Sequence, residues 1–185
     1  MPTSRTRPFA YGLFLLLVLF AAFSRLIPHP SNFTPIGGMA LFGAAYFTRK
    51  YWAVLVPLVA LYLSSLVLDN VVYAQYYEGF VWFSHPFVYL AFVLIALLGA
   101  GVLKRVTLGR VVGGALGASA VFFLVSNFGS WLGNPLYTQD LSGLLTAYAA
   151  GLPFLRNTVM GDLFYSGVLF GVYEWYTSRR TAAVA

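Results

Sequence analysis

Six apolar stretches run along the chain, at roughly 9–27, 35–47, 52–68, 86–103, 111–128 and 157–176. All but the second approach the ~20 residues that carry a helix across ~30 Å of hydrocarbon. The first is stopped by Pro28-His29-Pro30, because proline lacks an amide donor and disfavours helix in the residue before it. The second begins at Pro35, which suits a first helical turn, and carries Gly37, Gly38, Ala40, Gly43, Ala44 and Ala45. So many small side chains permit close backbone approach and predict a helix surrounded by protein. The fifth contains Gly113, Gly114, Gly117, Ala118 and Ala120, a second close-packing face.

Basic residues alternate across the connections. Arg5 and Arg7 precede the first stretch, and Arg49 and Lys50 follow the second. Lys104, Arg105 and Arg110 follow the fourth, and Arg179 and Arg180 follow the sixth. The connections after the first, third and fifth carry almost none. Cationic loops resist translocation, so the alternation predicts six membrane spans with both termini on the cytoplasmic side. The expected fold class is an all-α integral membrane bundle forming one domain over 1–185. The apolar run behind Arg5 and Arg7 lacks a clear small-x-small cleavage site and reads as an uncleaved first helix.

The expected outer connections are unequal. The first, Pro28 to Thr34, is short. The second, Asp69 to His85, is rich in aromatic and polar groups: Tyr73, Gln75, Tyr76, Tyr77, Glu78 and Trp82. The third, Gly129 to Arg156, includes Leu141, Leu144, Leu145 and Tyr148 at helical spacing. That spacing predicts a short interfacial helix between Pro135 and Pro153. Long outer loops against stubby inner ones put the specific surface outside.

Composition agrees with a bilayer. Hydrophobic residues make up 60% of the chain and charged ones 9%, against about 25% charged in soluble domains. The net charge of +6 belongs to helix ends as a topology signal, so no nucleic-acid partner is expected. Cysteine is absent, which excludes disulfides, thiolate metal sites and a Cys nucleophile. His29 and His85 are the soft-metal ligands available, and nothing in their spacing specifies a coordination geometry. No Ser-His-Asp order, HExxH or Gly-rich phosphate loop occurs. No cofactor is therefore expected.

Polar groups gather near the expected outer helix ends: His29, Asn32, Thr34, Asn70, Glu78, His85, Asn127, Asn134, Asp140, Arg156, Asn157 and Asp162. Ionisable groups inside spans are costly, face the protein interior and usually have a role there. Asp162 lies about one and a half turns into the sixth stretch. One reading pairs it with Arg156 or Arg25, both on the outer side against the charge rule, as a buried ion pair fixing helix packing. The other makes it a polar ligand contact or coupling site. Trp82, Trp131, Tyr77 and Tyr137 fit an interfacial aromatic belt and equally the wall of a pocket for a flat ligand.

Four segments carry a family resemblance: Pro28-His29-Pro30-Ser31-Asn32-Phe33-Thr34-Pro35, Ala40-Leu41-Phe42-Gly43-Ala44-Ala45-Tyr46-Phe47, Ser126-Asn127-Phe128-Gly129 and Pro153-Phe154-Leu155-Arg156-Asn157-Thr158. Through them nearly the whole chain resembles an uncharacterised bacterial membrane-protein family. That family is similar to the substrate-binding S-components of energy-coupling-factor vitamin transporters, particularly the solitary cobalamin-uptake type. The resemblance implies an S-component-like six-helix bundle in the bacterial cytoplasmic membrane, with one ligand pocket opening outward between outer loops and helix ends. Two features depart from it. The cysteine thiolate that solitary cobalamin S-components place on cobalt is missing, which leaves a His such as His85 as its substitute. The Ala-x-x-x-Ala spacing by which many S-components dock a shared energising subunit is missing from the first stretch, and Ala21-Ala22 does not supply it.

The expected function is capture and uptake of a vitamin-like or cofactor-precursor molecule from the outer face, without enzymatic activity. Asn32, Thr34, His85, Asn127, Trp131, Arg156, Asn157 and Asp162 are the expected ligand-binding residues. Amides and hydroxyls would orient the ligand, Arg156 would meet an anionic group, and Trp131 would stack. Expected partners are the small molecule, the lipid bilayer, and an energising transporter module or another membrane protein. A non-transporting accessory or assembly subunit, binding a partner through its glycine faces, is the alternative. An intramembrane enzyme would need Asp162 and His29 within direct or water-bridged reach.

Overall fold

The computed structural model describes residues 16, 19, 23–27, 30–47 and 50–182. Among these, five α-helices are described from end to end: α1 (Ile36–Tyr46), α2 (Lys50–Val67), α3 (Pro86–Val102), α4 (Leu108–Trp131) and α5 (Leu141–Ala182). No strand occurs among the described residues. Most of the first apolar stretch lies outside them; at its end Phe23 and Ser24 are helical. The fold is thus all-helical, and two helical segments, Tyr51–Val72 and Leu108–Trp131, are long and apolar enough to cross a membrane. α1 and α3 are apolar but shorter.

α1 is the axis of the bundle. Every residue from Ile36 to Ala44 is buried, and the helix touches α2, α3, α4 and α5. Its small residues explain how. A β-carbon on Gly37 would lie 2.0 Å from Asp162 Oδ1, so the Asp162 carboxylate fills the place of a side chain. Gly38 lies against the Ser166 backbone and Gly43 against Ala53. Larger α1 residues close the far end, where Phe42 and Tyr46 stack on Phe170 and Tyr173 and the Tyr46 hydroxyl donates to Glu174. The expectation of a helix enclosed by protein thus matches its burial.

The outward faces are apolar. On α2, Leu55, Val59, Leu63 and Val67 are exposed at four-residue intervals. On α4, Leu108, Val112, Leu116, Leu124 and Phe128 form a similar stripe. On α4, the glycines divide: Gly114 faces Leu41 of α1 and Gly117 meets Leu98 of α3, while Gly113 has nothing within 4 Å among the described residues. Among those residues only part of the run is therefore a packing face.

The segment expected as a separate interfacial helix is instead the first part of α5, which runs 42 residues through Pro153. Proline removes one helical hydrogen bond and crowds the carbonyl four residues back. Tertiary packing outweighs that local cost. A buried seam of Gly143, Ala147, Gly151, Thr158 and Asp162 continues across Pro153 on one helix face, and the Tyr148 hydroxyl donates to the Leu124 carbonyl of α4.

Gly37→Ala should destabilise the protein by about 1–3 kcal/mol, because α1 or α5 must shift to make room for the methyl group. Gly113→Ala, at an exposed position inside α4, should not destabilise it, since alanine favours helix over glycine. Comparing apparent Tm values of the two variants in one detergent checks both.

Candidate functional site

α1 has 11 residues, a rise of about 16 Å, against about 36 Å for the 24 residues of α4. Its first turn is level with Ser119 on α4 and Asp162 on α5. Beyond that level α4, α5, α2 and α3 continue, and no described helix runs between them. A cavity of about 800 Å³ occupies this end of the bundle. Thr34 and Ile36 lie at its base, Phe92, Phe122, Phe123 and Phe154 along its sides, and the loops 30–34, 73–85 and 132–140 around it. Lys104, Arg105 and Arg110 lie at the opposite ends of α3 and α4.

The cavity has a charged wall. Arg25 is half-buried, and its Nη1 donates to Ser64 Oγ at 2.6 Å, to Ser65 Oγ at 3.1 Å and to the Leu61 carbonyl at 3.4 Å. The Ser65 hydroxyl is also hydrogen-bonded to Tyr89. Nearby, Asp69 is 8% exposed and accepts a 2.5 Å hydrogen bond from Ser84 Oγ. Asp69 sits where α2 widens into a π-turn, Leu68–Val72, closed by the Tyr73 amide donating to the Leu68 carbonyl. Such a turn inserts a residue into the helical register and is frequent at functional sites. Here it brings Leu68, Asp69, Val72 and Tyr73 to one cavity. Burial, and then the Asp69 carboxylate, push the Tyr77 phenol above its ordinary pKa, so it stays a protonated donor at neutral pH.

Polar side chains tie down the loops. Asn70 clamps the second one, its Nδ2 donating to the Leu66 and Val81 carbonyls and its Oδ1 accepting from the Val81 amide. The third is held by Gln139, which accepts from the Gly133 amide and donates to the Trp131 carbonyl. Asp140 caps α5: its carboxylate accepts from the Gly143 amide and the Thr138 hydroxyl. Two non-glycine residues among those described have left-handed backbones, Asn32 (φ 63°) and His85 (φ 51°), and both line the cavity. Asparagine tolerates this region. His85 adopts it directly before Pro86, where the proline ring restricts the preceding backbone.

The eight expected ligand-binding residues divide evenly. Asn32, Thr34, His85 and Asn127 line the cavity. Asn127 donates to the Phe123 carbonyl, and its Oδ1 fills the space beside Gly151, where a β-carbon would come within 2.2 Å. The other four lie elsewhere. Trp131 donates from its indole to the Thr138 carbonyl and packs on Phe128, holding the third loop. Arg156 is exposed on α5, off the cavity wall. Asn157 donates to the Ser31 carbonyl and pins the first loop.

Asp162 is sealed beneath the cavity at 4% exposure and accepts a 2.7 Å hydrogen bond from Ser119. The expected ion pair is absent, since Arg25 is engaged with α2 and Arg156 is on the surface. His29 lies outside the described residues, and with it the Asp162–His29 arrangement. No group of three His, Asp or Glu side chains suited to a metal occurs among the described residues. Sequence reasoning missed Arg25, Asp69, Ser65 and Tyr89 as cavity residues. For Arg25 a signal existed: with Arg156, it is a cation on the side of the bundle where the connections carry almost none.

Residues 6–184 match the model of a Family of unknown function (DUF6580). No curated protein and no solved structure matches the chain.

The cap on α5 should titrate. The Gly143 amide and the Thr138 hydroxyl hold the Asp140 carboxyl below the usual carboxylate range. A depressed folded-state pKa gives stability that is present above the unfolded value of about 4 and is lost as pH falls through the folded value. Asp140→Ala should therefore lower the apparent Tm at pH 7, with the deficit shrinking toward pH 3. Thermal melts of both proteins across that range check it.

Proposed function

We propose that this chain, which belongs to the DUF6580 family, is a multi-pass membrane protein that captures a small organic molecule in the cavity at its cation-poor end. The observation that carries this reading is the cavity itself. Its volume of about 800 Å³ suits small-molecule sites, which run to about 300–1,000 Å³. Its lining combines aromatic walls with a few converging polar groups, the composition by which such sites gain both affinity and orientation.

The bilayer placement rests on three supports. Two helical segments are long and apolar enough to span. The outward faces of α2 and α4 are continuous apolar stripes. The basic residues gather at the end opposite the cavity, as they would on the cytoplasmic side. In this reading the chain crosses six times with both termini inside, and the cavity opens outward in the bacterial cytoplasmic membrane. The captured molecule is vitamin-like or a cofactor precursor, as in the S-components the sequence resembles. Uptake would follow by reorientation of the bundle, with or without an energising module. The accessory-subunit reading draws on Gly109 and Gly113 of α4 and Gly167 and Gly171 of α5. These glycines are exposed, with nothing within 4 Å among the described residues. It does not account for a polar-lined cavity.

Protein released from its native membrane should carry a small molecule detectable by native mass spectrometry. Ala150→Trp, which fills the cavity from an exposed position on its wall, should abolish that mass. Arg156→Ala should keep it. A stoichiometric protein partner with no small molecule would favour the accessory subunit. Because the chain has no cysteine, Leu136→Cys and Arg105→Cys introduce unique thiols at opposite ends of the bundle. An impermeant maleimide added to intact cells should label the first and spare the second.

A further inference from the structure

Arg25 poses a charge problem that its protein neighbours do not solve. The guanidinium is half-buried in the cavity wall, and its three acceptors, two serine hydroxyls and one carbonyl, are all neutral and all on Nη1. Among the described residues Nε and Nη2 have no acceptor. That leaves one edge of the guanidinium, with parallel N–H groups, the geometry that grips two oxygens of a carboxylate or phosphate at once. Asp69 is within electrostatic reach, but it makes no salt bridge with Arg25 and takes its hydrogen bond from Ser84. A cation withdrawn from water without a bound counter-charge is costly, and supplying that charge is worth more here than at the surface.

Hydroxyls on α2 fix the position of the group. Ser64 and Ser65 hold Nη1 from one side, and the Ser64 hydroxyl in turn donates a hydrogen bond to the Ala60 carbonyl at 2.8 Å. The guanidinium is thereby preset before anything enters. Tyr89 and Tyr73 are within electrostatic reach of it, and Phe92 lines the same cavity.

Accepting the capture reading, we infer that the molecule held in the cavity is a ring-bearing organic anion whose acidic group is bound by Arg25. This transfers the anion-binding role from Arg156, which the sequence suggested, to a residue on another element. The ring body packs against the tyrosine and phenylalanine walls, and Asp69 disfavours a second acidic group. The site thus selects a single oxyanion over a polyanion.

The test uses full-length protein extracted from its native membrane, and the probe is the small molecule released with it. Accurate mass and polarity-switched ionisation identify its acidic groups. The expected result is a molecule with one carboxylate or phosphate-type group. Its occupancy should fall roughly tenfold or more in Arg25→Gln, the size of a lost charged hydrogen-bond pair. Arg25→Lys should retain an intermediate amount, since lysine keeps the charge and loses the fork. A wild-type molecule with no acidic group overturns the inference and leaves capture standing. So does an acidic molecule retained undiminished by a folded Arg25→Gln protein. No small molecule on the wild type overturns capture and this inference together. If Arg25→Gln does not fold, the chemistry of the wild-type molecule decides alone.

Discussion

The contact between Gly37 and Asp162 sets the depth at which the central helix stops, and the rest of the architecture follows from that depth. The carboxylate occupies the volume a side chain on Gly37 would need, and Ser119 fixes it from α4. One turn of α1 is therefore locked to α4 and α5 at a single level. At the other end Tyr46 meets Glu174 and Tyr173. Between those two fastenings α1 fills the bundle with Leu41 and Phe42. Above the first no described helix continues the centre, and the longer outer helices border a space. The cavity is the consequence of an 11-residue helix surrounded by longer ones.

In the proposed bilayer setting this arrangement has a second use. Helices in lipid gain little from burying apolar surface against one another and associate through close packing and hydrogen bonds. Glycine at 37, 38 and 43 supplies the first, and Ser119–Asp162 supplies the second. The same economy governs Arg25 and Asp69, both of which face a protein-lined space rather than the apolar outer stripes.

Much of this was legible in the sequence, and the misses have physical reasons. Helix positions followed from apolar runs, and the enclosed α1 followed from its small residues. The continuity of α5 did not, because Pro153 is a strong local stop signal and the buried seam that overrides it depends on α4. The cavity's location at the cation-poor loops was legible too. Which helix-end residues turn inward was not, since successive helical positions differ by about 100° in direction. Thus Thr158 and Leu155 reach the cavity while Arg156 and Asn157 between them do not. Trp131 is one turn beyond Asn127 on the same face, yet the Thr138 carbonyl captures its indole. Asp69 escaped notice because the π-turn that directs it inward leaves no mark in the apolar pattern.

The loops around the cavity complete the argument, because their polar residues are spent mainly on holding backbone. Asn70 binds Val81, Gln139 binds Gly133 and Trp131, and Asn157 binds Ser31. Each is a side chain that sequence reasoning alone would readily assign to a ligand. Their engagement ties the loops down, which under the proposed capture would lower the ordering cost that binding otherwise incurs. The groups left with unused hydrogen-bonding capacity lie deeper, at Arg25 and Asp69 on the wall built by α2 and its π-turn. In the proposed capture reading, tied loops around a charged interior divide the labour: the loop end sets which shapes enter, and the α2 wall sets which charge stays.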